Sequence, residues 1–258
     1  MSQSASEHIH YLSERLLAAY RGQDRLVVDD AVLRDVTRSA ALEIQRRVVQ
    51  GLATPVVAWK AALLADADLV SAPIVAERLF TSPCALPQQL YGRGGVECEI
   101  AFRFSRAPTG GYSFTQTDIL DALDGACAAI EVVDSRWGGP SPAPRNAMVA
   151  DLLANGALVC GAFNEVWQGV PFSTQQVKLR VNGALVHQSA GGHPDSDLIG
   201  LLVKFAGDLR CRGIPIEPGT IVTTGSFTGL FTANPGDVIS AEFEGFEPVS
   251  VTFEAGDT

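Results

Sequence analysis

Positive charge is scarce in this chain. Nineteen Lys and Arg stand against 29 Asp and Glu, for a net charge of −10. No basic cluster of the kind that neutralises phosphates is present, so nucleic-acid binding and adhesion to an anionic membrane surface are not expected. A small acidic substrate would need a local positive centre such as a metal, a lysine or an arginine. Cysteine is sparse too. Cys84, Cys98, Cys127, Cys160 and Cys211 are odd in number and widely spaced, without a CxxC pair or a zinc spacing. They read as buried free thiols of a reducing cytosol. No apolar run is long enough to span a bilayer. Met1-Ser2-Gln3-Ser4 lacks the basic and apolar regions of a signal peptide. The expected location is therefore cytoplasmic. Repeats, low-complexity tracts and an interdomain linker are missing as well. What remains is a globular composition: 258 residues, 47% hydrophobic and 19% charged, enough for a sizeable core and too apolar for disorder.

Two helical stripes open the chain. Ile9, Leu12, Leu16, Leu17 and Tyr20 mark the first, over residues 5–21. Val32, Leu33, Val36, Ala40, Ile44 and Val48 mark the second, closed by Gly51 and Pro55. Each needs a surface to bury against. Residues 54–59 look extended and lead into Lys60, whose neighbours Val57, Ala58, Trp59, Ala61 and Ala62 imply a partly desolvated lysine. From about residue 70 the pattern becomes β, which divides the chain into a helical portion, 1–70, and a β-rich domain, 71–258. Thr117-Asp118 offers a cap for a short helix through Ala129. Val177–Val181 alternates before an Asn182-Gly183 hairpin turn. A helix is expected over residues 195–212, and closing strands over 220–227, 238–244 and 249–254.

The informative stretch is Gly95–Phe104. Val96, Cys98, Ile100, Phe102 and Phe104 alternate with Glu97, Glu99, Ala101 and Arg103, which reads as a strand with one apolar face. Glu97 and Glu99 then point the same way, about 6–7 Å apart along the strand. Two like charges so close call for solvent or a cation. Glu131 sits between Ile130 and Val132 in an apolar segment, where an unpaired carboxylate costs several kcal/mol. Together the three would form an all-oxygen site suited to Mg²⁺ or Mn²⁺. Neutralisation by Arg103 or Arg136 is the reading that the spacing leaves open beside it.

Several of these stretches resemble the fumarylacetoacetate hydrolase superfamily, in particular its 2-hydroxypentadienoate hydratase and 4-oxalocrotonate decarboxylase branch. Val96–Phe102 is similar to that family's E-x-E-I-A-F segment, and Ile130–Arg136 to its E-I-x-D-S-R strand. Gly192-His193-Pro194, Gly219–Ser226 and Pro235-Gly236-Asp237 follow in the family's order. The resemblance implies an α+β fold, with a helical N-terminal portion on a mixed β-sandwich or β-roll. It implies that Glu97, Glu99 and Glu131 hold one Mg²⁺ or Mn²⁺, which binds the 2-oxygen and carboxylate of a 2-oxo acid. Lys60 would move protons or stabilise the bound anion. Arg136 would pair with a carboxylate of the substrate or of the site, or form a structural ion pair; Thr224 and Ser226 would contact substrate, and Asp151 would support the site from behind. His193 reads as a helix-start or packing residue, and His8 and His10 carry no role.

The implied activity is hydration of a 2-hydroxy-2,4-dienoate to a 4-hydroxy-2-oxo acid in aromatic catabolism. Decarboxylation of a 4-oxalocrotonate, hydrolysis of an acylpyruvate, and a non-catalytic partner subunit stand as alternatives. The last is motivated by departures from the family pattern at residues 61–68, at 81–82, and at Leu152 and Ala154. A homo-oligomer, and a complex with a related pathway enzyme, are the implied assemblies.

Overall fold

A computed structural model describes residues 3–64, 68–139 and 143–255. Ala65, Asp66 and Ala67, part of the departure after Lys60, lie outside the described residues. Seven α-helices are described: α1 (Gln3–Tyr20), α2 (Asp30–Arg34), α3 (Arg38–Leu52), α4 (Gln88–Tyr91), α5 (Gln116–Leu120), α6 (Arg145–Ala150) and α7 (Leu198–Cys211). The strands are β1 (Val56–Leu63), β2 (Leu69–Val75), β3 (Leu79–Thr81), β4 (Cys84–Leu86), β5 (Gly95–Phe104), β6 (Leu123–Val133), β7 (Asn155–Cys160), β8 (Gln176–Val181), β9 (Ala184–Ala190), β10 (Ile221–Ser226), β11 (Phe231–Thr232), β12 (Val238–Phe243) and β13 (Val249–Phe253). The architecture is the expected α+β arrangement, built on two mixed sheets. One runs β2-β1-β10-β5-β6-β7-β3, with β11 added beside β5. The other runs β4-β13-β12-β8-β9.

The larger sheet must curl. Its two edges, β2 and β3, are joined by the single turn Ala76–Arg78. Three residues reach only about 10 Å, so the edges are brought together and the sheet acquires an inside. Its outer face carries Val96, Cys98, Ile100, Phe102 and Phe104. These pack with the inner faces of β8, β12 and β13 and with Leu201, Leu202 and Phe205 of α7 in the main core. Much of its inner face is filled by small or branched side chains: Ala58, Ile74, Ala101, Cys127, Ala129, Leu158, Cys160 and Ile221. A narrow curled sheet admits little else. α1, α3 and α6 pack with Val70 and Ala72 of β2 in a third cluster. Residue 70 thus lies inside β2, and β1 and β2 belong to the same sheet as the glutamate strand.

Several local expectations are met. The Asn182-Gly183 turn has φ of 51° and 80°, the double left-handed conformation that a two-residue hairpin requires. α7 starts at Asp197, whose side chain accepts from the Gly200 N–H. Two expectations are corrected. The second stripe is two helices, because Thr37 leaves the helical region and caps α3 by accepting from the Ala40 N–H. The helix foreseen through Ala129 stops at Leu120, and Thr115 rather than Thr117 caps it, in a capping box with Asp118. Residues 123–133, rich in alanine and glycine, are drawn into a central strand paired with β5 and β7. Tertiary pairing overrides alanine's helical preference there.

Candidate metal centre

Strand register assembles the site. Glu97 on β5 stands directly opposite Glu131 on β6, and Glu99 opposite Ala129. On the other side of β5, Thr223 of β10 pairs with Ala101, and Lys60 of β1 pairs with Thr223. All of these side chains share the inner face of the curled sheet. Each glutamate offers an oxygen within 4.8 Å of the others. Glu99 and Glu131 are fully buried, whereas the Glu97 side chain keeps 21% of its surface and marks the open side.

Lys60 closes the cluster. Its Nζ lies 2.8 Å from Glu131 Oε2 and 4.0 Å from Glu97 Oε2, and it donates to the Leu153 carbonyl at 3.2 Å. The cation nearest the glutamates is therefore this ammonium. Arg103 pairs with Asp124 and Arg136 with Asp151, so neither neutralises them. Asn155 Nδ2 donates to Glu131 Oε1 at 3.1 Å. Glu99 Oε2 accepts from the Thr223 hydroxyl and, at 2.9 Å, from the Gly225 N–H. Glu99 Oε1 is buried and accepts no hydrogen bond from the described residues.

These surroundings push all three carboxyls upward. Burial is the main cause for Glu131, which rises to about 7 even though Lys60 opposes it. Burial and Glu97, two residues along the same strand face, raise Glu99. Burial raises Glu97 as well. For Lys60, burial works against the charge, but the three glutamates outweigh it and carry the ammonium up to about 12. Fully ionised, three carboxylates against one ammonium would leave two negative charges in an enclosed place, which is what raises them. With the orphaned Glu99 oxygen and the all-oxygen donor set, that excess fits a hard divalent cation.

The structure places three of the remaining residues in other contacts. Arg136 does not reach the cluster. It is buried, its Nε donates to Asp151 Oδ1 at 2.8 Å, its Nη1 to the Asn155 carbonyl at 2.8 Å, and its Nη2 to the Asp151 carbonyl and the Tyr20 hydroxyl. Thr224 faces the opposite side of β10 and donates to the Ile100 carbonyl; period two puts Thr223 inside instead. Ser226 closes a turn, donating to the Gly229 carbonyl and accepting from the Thr228 N–H. Asp151 stands behind the site, joined to Glu131 through Arg136 and Asn155.

Thr223, Gly225 and Asn155 are the residues that sequence reasoning missed. A register shift between Thr223 and Ser226 turns the Gly225 N–H toward Glu99, with Gly225 at φ +103°. The Thr-Thr-Gly run was the available signal for that bulge. A cavity of about 660 Å³ floored by Trp59 lies on the other face of β1, and none of the four charged residues lines it. In Thr223→Val, Glu99 loses a hydroxyl donor at little cost in volume. Mn²⁺ affinity is expected to fall about 10- to 100-fold, as for groups that orient a metal ligand. Titration calorimetry checks this, and an unchanged affinity would remove Thr223 from the site.

Residues 32–254 match the family model of the fumarylacetoacetate (FAA) hydrolase C-terminal. A 4-oxalocrotonate decarboxylase of Pseudomonas putida is 31% identical over 162 residues, which cover 61% of this chain and 59% of that protein. The matched stretch thus spans less than two thirds of that relative. A 2-keto-4-pentenoate hydratase of Paraburkholderia xenovorans is 25% identical over 232 residues, covering 88% of this chain and 84% of that protein. Among solved structures, the 4-oxalocrotonate decarboxylase of Pseudomonas putida G7 complexed with magnesium and adipate superposes with a TM-score of 0.81 at 23% identity, covering 96% of this chain and 98% of that one. This last likeness concerns the fold.

Proposed function

Because this chain belongs to the fumarylacetoacetate hydrolase family, matching its C-terminal model over residues 32–254, we propose that it is a divalent-metal-dependent lyase of small unsaturated 2-oxo acids. The reaction we favour is hydration of a 2-hydroxy-2,4-dienoate to a 4-hydroxy-2-oxo acid, in the breakdown of aromatic compounds. The observation that carries the reading is the convergence of Glu97, Glu99, Glu131 and Lys60 on one buried face. Glu97, Glu99 and Glu131 would hold Mg²⁺ or Mn²⁺; the solved relatives' complexes with magnesium and with manganese support such an ion. Bound there, the cation would supply Lewis-acid stabilisation of the negative charge that grows on the 2-oxygen of the substrate.

The chain's own groups do the rest. Glu97 lies on the open side, where a substrate enters. Lys60 stands at the inner wall, its ammonium held between Glu131 and the Leu153 carbonyl and 4.0 Å from the more open Glu97. It carries the proton that must reach a substrate carbon in the dienol-to-enone shift. Water then adds at the distal carbon of the conjugated system. The engagement of Arg136 with Asp151 removes that arginine as a partner for a substrate carboxylate. The hydratase relative matched over most of the chain supports hydration of a dienoate as the first reading. Acylpyruvate hydrolysis needs a dedicated base, and both ring nitrogens of His193 are engaged, one by the Thr224 carbonyl and one by the Asp195 backbone. Decarboxylation remains the second reading, supported by relatives of that name at 31% and 30% identity. A cytoplasmic homo-oligomer and a complex with a related pathway enzyme complete the proposal; of the helical portion expected over residues 1–70, α1 to α3 are helix and β1 joins the large sheet.

An ultraviolet assay separates these readings. It follows loss of a 2-hydroxy-2,4-dienoate, CO₂ release from 4-oxalocrotonate, and cleavage of an acylpyruvate, each with and without Mn²⁺. The expected result is Mn²⁺-dependent loss of the dienoate. Lys60→Met should lower kcat by about 10²- to 10⁴-fold, the usual share of a proton-transferring group, while Mn²⁺ still binds. CO₂ release alone would establish the decarboxylase. Mn²⁺ binding without turnover of any substrate would point to the non-catalytic partner.

A further inference from the structure

Leu152, Leu153 and Ala154 have φ of 50°, 52° and 58°. Three successive non-glycine residues in the left-handed region are rare, because each Cβ crowds the following carbonyl. All three are buried, so their side chains gain nothing from solvent. The turn they form has two outputs into the acidic cluster. The Leu153 carbonyl accepts from Lys60 Nζ at 3.2 Å, and the Asn155 side chain, one residue beyond the turn, donates to Glu131 Oε1 at 3.1 Å.

Both ends of the turn are held by one side chain. The Arg136 guanidinium donates to the Asp151 carboxylate and carbonyl at the start and to the Asn155 carbonyl at the end. Its own main-chain N–H donates to Asp151 Oδ2 at 2.8 Å, and so does the Ser135 hydroxyl at 3.0 Å. Tyr20, the last residue of α1, lies under the guanidinium, 3.8 Å from its ring centroid to Arg136 Cζ, and donates to the Asp151 carbonyl at 3.1 Å. A planar fork with fixed donors can span two carbonyls and a carboxylate at once; an ammonium cannot.

We propose that Arg136, Asp151 and Tyr20 are positioning residues: they clamp the left-handed turn so that its Leu153 carbonyl and Asn155 amide aim Lys60 and Glu131. The clamp also joins the N-terminal helix to the site. This rests on the reading of Lys60 as the proton carrier, but its test does not depend on turnover alone.

The chain has three lysines, Lys60, Lys178 and Lys204. The Lys178 side chain is 41% exposed and Lys204 is a surface residue. Spectra of protein carrying ¹⁵Nζ-labelled lysine therefore contain one buried signal, assigned by its loss in Lys60→Met. In Arg136→Lys, which keeps the charge beside Asp151 and removes the fork, that signal should move toward the two surface lysines. In the same variant kcat should fall roughly 10- to 100-fold, the scale of an ångström-sized misplacement, with KM little changed. Adding Ala154→Gly lowers the cost of left-handed backbone and should partly restore both the signal and kcat. If Arg136→Lys does not fold, Tyr20→Phe keeps the ring, removes one hydrogen bond, and should shift the Lys60 signal in the same direction. An unmoved Lys60 signal with unchanged kcat in either folded variant would overturn the proposal. Failure of the wild type to bind Mn²⁺ would overturn the metal reading instead, and the lysine signal would still decide whether the clamp aims Lys60.

Discussion

Glu131→Gln is expected to lower Mn²⁺ affinity by more than about 100-fold, since even groups that only orient a metal ligand account for about 10- to 100-fold. The substitution keeps size and shape but removes one of three negative charges and turns an amide toward the cation. Glu131 is fully buried and held between Asn155 and Lys60, so the remaining glutamates have little room to close in. Turnover should fall at least as far, because the same ligand sets the charge available to the 2-oxygen. Calorimetric titration with Mn²⁺ alongside the dienoate assay checks both. An affinity within about threefold of wild type, on a scale where tenfold is about 1.4 kcal/mol, would mean that Glu131 is not a ligand.

Asp151→Ala is expected to destabilise the fold by about 3–5 kcal/mol, the usual result of removing one partner of a buried ion pair. Asp151 has no exposed surface and Arg136 is 3% exposed. The guanidinium would be left beside Tyr20 and the Asn155 carbonyl without its directly bonded carboxylate. Three hydrogen bonds to the carboxylate, from Arg136 Nε, the Arg136 N–H and the Ser135 hydroxyl, would go at once. For a chain of this size about 2–4 °C of melting temperature goes with each kcal/mol, so calorimetry should show a fall of roughly 6–20 °C. A fall under about 2 °C would mean that the pair is not as enclosed as described.

These two predictions use residues that were read from sequence with different success. The glutamates were legible because strand periodicity is local: Glu97 and Glu99 share a face by alternation, and a carboxylate between Ile130 and Val132 needs a partner wherever it lies. The partner itself was not legible. Lys60 meets Glu131 only because β1, β10, β5 and β6 are neighbours in one sheet, and sheet order is not written in any one strand. The partner of Arg136 is not legible either, because Asp151 lies 15 residues further along and only the fold brings it to the guanidinium. Thr223 rather than Thr224 faces inward because the pairing of β10 with β1 and β5 decides which alternate set points to the interior, and that pairing is not written in the strand itself. The helix misplaced over residues 117–129 has a similar origin. Ala126, Cys127, Ala128 and Ala129 suit a helix locally, but pairing with β5 and β7 draws them into a central strand, with Ala126 and Ala128 in the main core and Cys127 and Ala129 on the inner face.

The family's fold leaves open which reaction a member performs; the cluster at its centre does not depend on that choice. Crystals grown with Mn²⁺ and oxalate, an enolate mimic, and measured at the manganese absorption edge test the cluster most directly. One anomalous peak among Glu97, Glu99 and Glu131, with Lys60 drawn off Glu131 toward the oxalate, is the predicted result. No peak there, with Lys60 still paired to Glu131, would contradict the account.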